Sequence, residues 1–326
     1  MANETFNCAP ILVIGFNRPQ LLRDQINALR TIRPPRVFIA VDGPRPGKEG
    51  EVALCRETAA AADGIDWECE VKTLVNKVNL GCKYAPPSAI SWFFSHVDAG
   101  IILEDDCRPT MDFLRFATEL LDRYRDDDRV GMISGNNHYG FITDKSASYR
   151  FSCDVSIWGW ATWRRVWNLY DVEPAHYANE IDELLSAVSL TKRGRCLRKR
   201  FFDAVLSTNG TWDIQFALTL ARHRLLAVCP RENLVANLGF SPESTHTGGF
   251  SYDMDRFSAT APMSFPLRHP FEVARDVLAD RLHELRSFAL LPRLLTELGR
   301  RSAFACSVLV PLAQRIERFF PAIYRI

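Results

Sequence analysis

Short apolar runs alternating with helix-spaced segments constrain this fold more than any other feature. Ile11-Leu12-Val13-Ile14-Gly15, Val37-Phe38-Ile39-Ala40-Val41 and Ile101-Ile102-Leu103 are runs of a few residues with no polar alternation. A strand covered on both faces reads this way, because neither side of the pleat meets water. Between the runs, Leu21, Leu22, Ile26 and Leu29 recur at helical spacing. Glu51 to Ala62, Pro87 to Val97 and Met111 to Tyr124 also read as helices, and Cys69 to Val75 alternates weakly as a third strand. Strands alternating with helices predict an α/β fold with a mostly parallel sheet flanked by helices. No Gly-rich phosphate loop follows any of these strands, and no repeat period is evident.

The strand ends carry the polar groups. Asn17-Arg18 follows the first run, Asp42-Gly43 the second, and Glu104-Asp105-Asp106 the third. In a parallel sheet these ends share one edge, where ligands of open α/β sheets bind. Three adjacent carboxylates there repel one another and need positive charge. A hard divalent cation, Mg²⁺ or Mn²⁺, takes carboxylate oxygens and commonly bridges to substrate phosphates. The bland alternative is a solvated acidic turn. Asp42-Gly43-Pro44 has its own plain reading as turn chemistry.

Composition excludes several classes. A formal net charge of +1 gives no basic excess for nucleic acid. No run of about 18 apolar residues suggests a membrane span. The start of the chain has no signal-peptide pattern. Nine cysteines without a C-x-x-C pair fit reduced thiols, so a cytoplasmic location is expected and a structural zinc site is not. Asp126-Asp127-Asp128 reads as a solvated helix end.

These residues resemble the GT-A glycosyltransferases. The resemblance rests on Pro10 to Ile14, Arg18, Asp42 and Ile101-Leu103-Glu104-Asp105-Asp106, and is nearest to the N-acetylglucosaminyltransferase I group and its bacterial relatives. It continues through Gly159-Trp160, Trp212-Asp213, Cys229-Pro230-Arg231-Glu232-Asn233, Gly239 and Ser244-Thr245-His246-Thr247-Gly248, covering residues 10–250. The resemblance implies a GT-A, Rossmann-like domain over 8–270 and an inverting transferase that takes a UDP-sugar. The acceptor would be a glycan or lipid-linked saccharide, in bacterial surface glycan synthesis. Asp106 would bind Mn²⁺ or Mg²⁺, Glu104 and Asp105 the ribose and sugar, Asp42 the uracil, and Arg18 the nucleotide. Lys83 would approach the nucleotide, and Trp160 would stand at the site. Asp213 would be the general base. It is the local carboxylate in Trp212-Asp213-Ile214-Gln215, and it also reads as an N-cap for a helix from Ile214 to Arg222. His246 would sit in a loop, 241–250, that closes over the diphosphate.

Two other functions fit the same elements. A sugar nucleotidyltransferase shares the sheet but needs a Gly-rich basic loop after the first strand, which Gly15-Phe16-Asn17-Arg18 lacks. A non-catalytic membrane- or partner-binding protein could keep the scaffold. A helical C-terminal extension is expected over 271–326. From Leu282 onward it carries seven arginines, three glutamates and apolar residues near helical spacing. This segment reads as a helix for oligomer packing, or for peripheral contact with anionic lipid. Removal of everything after about Asp280 is expected to leave the sheet intact.

Overall fold

A computed structural model describes residues 6–208, 210–239 and 253–287 of the chain. The first half follows the predicted alternation. β1 (Ile11–Gly15) leads to α1 (Pro19–Leu29), β2 (Arg36–Val41) to α2 (Glu49–Ala60), and β3 (Glu70–Val75) to α3 (Gly81–Phe94). β4 (Ala99–Glu104), a short β5 (Cys107–Pro109) and α4 (Met111–Arg123) complete it. The second half holds β6 (Val130–Ser134), β7 (Tyr149–Ser152), β8 (Trp160–Trp163), α5 (Arg164–Trp167) and α6 (Ile181–Val188). Then come α7 (Lys192–Thr208), α8 (Asp213–Arg222), β9 (Leu226–Pro230), β10 (Val235–Asn237), α9 (Met254–Ser258) and α10 (Val277–Ser287).

Eight strands form one mixed sheet in the order β3-β2-β1-β4-β8-β6-β9-β7. β3, β2, β1 and β4 run parallel, with Ile11 opposite both Val37 and Ile101. The carboxyl ends of β1, β2 and β4 therefore lie along one edge. β6 and β9 are parallel, but β8 runs antiparallel to β4 and β6, and β7 runs antiparallel to β9. Short strands without a crossover helix can join a sheet this way. Val13, Phe38, Ile39, Ile101 and Leu103 are fully buried, the desolvation that their continuous apolar runs predicted. No described helix is long and apolar enough to cross a membrane.

α3 starts at Gly81, ahead of the Pro87 start expected from sequence, and carries Pro86 and Pro87 in its early turns. The reason lies outside the helix. Asp42 Oδ2 accepts the Gly81 N–H at 3.1 Å, and both Asp42 oxygens accept the Leu80 N–H at 3.0 and 3.1 Å. A carboxylate at these orphan donors favours the helix start and complements the positive end of its dipole.

α10 is fixed to the domain by buried polar groups. Asp280 accepts from Arg150 (2.5 Å), Ser152 (2.6 Å), Arg275 (2.7 Å) and the Cys153 N–H (3.0 Å). Glu284 takes the Thr191 N–H at 2.7 Å, and Arg286 pairs with Asp253 at 2.7 Å. The expectation that the chain after Asp280 is dispensable is corrected here. Cutting there would leave the buried Asp253 and the Thr191 backbone without these partners. Hydropathy spacing does not show this, because the anchoring residues are charged. The rest of the extension, from residue 288, lies outside the described residues.

Candidate active site

The sheet edge opens into a cleft of about 620 Å³. Arg18, Asp42, Glu104, Asp105, Asp106 and Asp213 all line it, although they lie far apart in sequence. Three parallel strand ends supply the first five, and the start of α8 supplies Asp213.

Arg18 meets two of the acids. Its Nη2 and Nε donate to Asp105 Oδ1 and Oδ2 at 2.5 and 3.2 Å, and its Nη1 donates to Asp106 Oδ2 at 3.0 Å. The Asp105 side chain is 1% exposed and that of Asp106 is 13% exposed, so Asp106 is the one of this pair that reaches the open cleft. Loss of water pushes the Glu104 carboxyl up to about 8, and the charges of Asp106, Asp105 and Asp213 push the same way. Burial also raises Asp105, against the pull of Arg18. The cleft is thus short of positive charge.

Asp106 is held from below by a two-stranded ladder. β5 pairs antiparallel with β10, Cys107 opposite Asn237. The Leu238 N–H donates to Asp106 O at 2.8 Å. This brings Gly239 so close that a Cβ there would lie 2.5 Å from Asp106 Oδ2. Only glycine leaves that carboxylate room.

Asp213 is the first residue of α8, and it does not cap the helix as the sequence suggested. Its Oδ1 accepts the Thr211 hydroxyl. The preceding Trp212 is 2% exposed and stacks on Trp160 at 6.1 Å, while Tyr170 donates to its carbonyl at 3.1 Å. An aromatic anchor thus fixes the backbone that carries Asp213.

Three expectations come out differently. Trp160 is 1% exposed, in the sheet interior between Ile102 and Ser134, and packs on Phe216 at 4.8 Å. It supports the site from the core, as Trp163 and Trp167 support the fold. Trp158 lines the cleft in its place, backed by Phe257 at 5.1 Å and His138 at 5.4 Å. Gly159, at φ +77°, turns the chain between these two tryptophans, which breaks simple strand alternation. Lys83 is 4% exposed and pairs with Glu173 at 3.0 Å, outside the cleft lining. Asp42 is in the lining, but its oxygens already serve Asn76 (3.0 Å), Asn79 (2.8 Å) and the Leu80 and Gly81 amides. It braces the wall, and the Asn79 and Gly81 it holds line the cleft beside it. His246 and the 241–250 loop lie outside the described residues.

Sequence reading also missed Arg45, Asn79, Thr211 and Asn237, all in the lining. Of these, Thr211 had a legible signal, a hydroxyl two residues before Asp213. Among the described residues, no group of three or more His, Cys, Asp or Glu side chains is arranged to hold a metal ion unaided. The donor set still suits a hard cation bound partly by a ligand. Carboxylate oxygens line the cleft, Asp106 is accessible, and five acids outnumber the two arginines, Arg18 and Arg45. Mg²⁺ in particular is usually held by one or two carboxylates plus substrate phosphates.

No protein-family model matches this chain, and no curated protein matches it in sequence.

Proposed function

We propose that this chain is a GT-A-like inverting glycosyltransferase that moves a sugar from a UDP-sugar to a hydroxyl of a glycan or lipid-linked acceptor. The observation that carries this reading is the meeting of Glu104-Asp105-Asp106 with the separately anchored Asp213 in one cleft. The resemblance over residues 10–250 supports the donor class.

Inverting transfer needs one base and a stabilised leaving group. Asp213 takes the proton of the acceptor hydroxyl. The acceptor oxygen forms the new bond to the anomeric carbon, and the old carbon–oxygen bond breaks on the opposite face. Its electron pair leaves with the diphosphate. Thr211 holds Asp213 Oδ1 and leaves the other oxygen for the proton. Asp106 would hold Mn²⁺ or Mg²⁺, with Glu104 and Asp105 close by. Such a cation supplies positive charge to the departing diphosphate. Arg18 orients the acids, and the cleft wall at Asn79 and Gly81 receives the nucleoside. Trp158 offers an aromatic face to a sugar ring.

The test is incubation of the full chain with UDP-sugars and Mn²⁺, with and without chelator. UDP release that needs the metal supports the reading. No release or transfer from any UDP-sugar, with a folded protein, would reject it.

A further inference from the structure

One helix concentrates more net positive charge than the whole chain carries. α7 contains Lys192, Arg193, Arg195, Arg198, Lys199 and Arg200 against the single acid Asp203, a formal +5 in a chain of +1. The remaining residues therefore sum to −4. The inner side of the helix is committed to the fold. Leu197 and Phe202 are buried, Arg198 reaches Asp154 at 2.5 Å, and Gly194 is pressed against Glu284. The other five cations are at least partly exposed, and at about 100° per residue they sweep an arc of about 160°. Among the described residues, Lys192, Arg193, Arg195 and Arg200 form no salt bridge. Lys199 meets Asp182 at 3.4 Å in a solvent-exposed pair that offsets little charge.

We propose that the outer face of α7 is the surface by which this protein docks on an anionic lipid bilayer. Charge complementarity selects an anionic partner, and the geometry favours a planar one. A bilayer touches only the helix face, whereas an extended polyanion such as nucleic acid would run on over a body of net negative charge. α7 also runs directly into the segment that bears Thr211 and Asp213. On the proposed transferase reading, docking there would bring bilayer-borne hydroxyls to the base. The docking itself does not depend on that reading.

The experiment is co-sedimentation of the full chain with vesicles of phosphatidylcholine, with or without phosphatidylglycerol, at low and high salt. Each cation near an anionic surface strengthens association roughly fivefold. The wild type is expected to bind only the phosphatidylglycerol vesicles and to be released by salt. Arg193→Gln, Arg195→Gln and Arg200→Gln together should weaken binding by at least about tenfold. Unchanged thermal unfolding would show that the variant stays folded. Equal binding to both vesicle types, wild-type binding by the triple variant, or preference for single-stranded DNA over vesicles would each overturn the proposal. No donor or turnover enters the measurement, so its failure is separate from failure of the transferase reading.

Discussion

Arg18 and Asp105 form a two-point fork on the cleft floor, Nη2 to Oδ1 at 2.5 Å and Nε to Oδ2 at 3.2 Å. The third guanidinium contact, to Asp106 at 3.0 Å, ties the two acids together. Such planar bidentate pairing fixes orientation as well as charge, and lysine cannot reproduce it. The arginine thus sets where the Asp106 carboxylate points.

Replacing Arg18 leaves Asp105 buried without its partner. Arg18→Met should cost about 1–3 kcal/mol of stability, the penalty for an unpaired buried group. Mn²⁺ should recover part of that loss and stabilise the variant more than the wild type. Urea unfolding with and without Mn²⁺ reads both effects. Equal stability of the two proteins would show that the fork orients nothing of consequence.

Asp213→Asn keeps the shape and removes the base. Transfer should fall by about 10²–10⁴-fold, the usual worth of general-base catalysis, with donor binding retained. Steady-state rates with an active acceptor, alongside UDP affinity, separate the two. A near-wild-type rate would assign the base elsewhere.

His138 gives a pH dependence with a defined sign. Burial, with the charge of His283 second, pushes its pKa down from 6.5 to about 3. The unfolded chain therefore binds more protons than the folded one between those values. The contribution of His138 is fully present above about 6.5 and is lost as the pH falls towards 3. His138→Leu should flatten the fall of stability below pH 6.5 by up to one proton. Chemical denaturation across that range is the check, and an unchanged slope would contradict the burial argument.

β1, β2 and β4 were legible because they are apolar on both faces, as in Ile11 to Gly15 and Ile101 to Leu103, whereas β6 to β9 and their antiparallel pairings were not. The acid cluster was legible because Glu104, Asp105 and Asp106 are adjacent and end a strand. What the sequence hid depends on contacts between distant segments. Trp158 and Trp160 look alike in sequence, and only the left-handed turn at Gly159 separates a cleft residue from a core one. Asp42 reads as a free ligand until Asn76, Asn79 and the start of α3 come to it. Lys83 is withdrawn from the cleft by Glu173, ninety positions away. Charged anchors such as Asp280 and Glu284 carry no hydropathy signal at all.

α10 should matter to the cleft wall as well as to stability. Arg286 holds Asp253, which precedes α9, and Phe257 of α9 packs against Trp158. Arg286→Ala should destabilise the fold by about 3–5 kcal/mol, the cost of breaking a buried pair. A charge exchange, Arg286→Asp with Asp253→Arg, should recover part of it. Thermal and chemical unfolding of the single and double variants give the comparison. Two independent, additive losses would show that the pair does not couple the helices.

The most direct test of the central claim is calorimetric titration of UDP into the full chain. Affinity should be measurable with Mn²⁺, be lost on chelation, and be lost in Asp106→Ala with the fold intact. UDP binding equally well with Mn²⁺, with chelator and in Asp106→Ala would contradict the account.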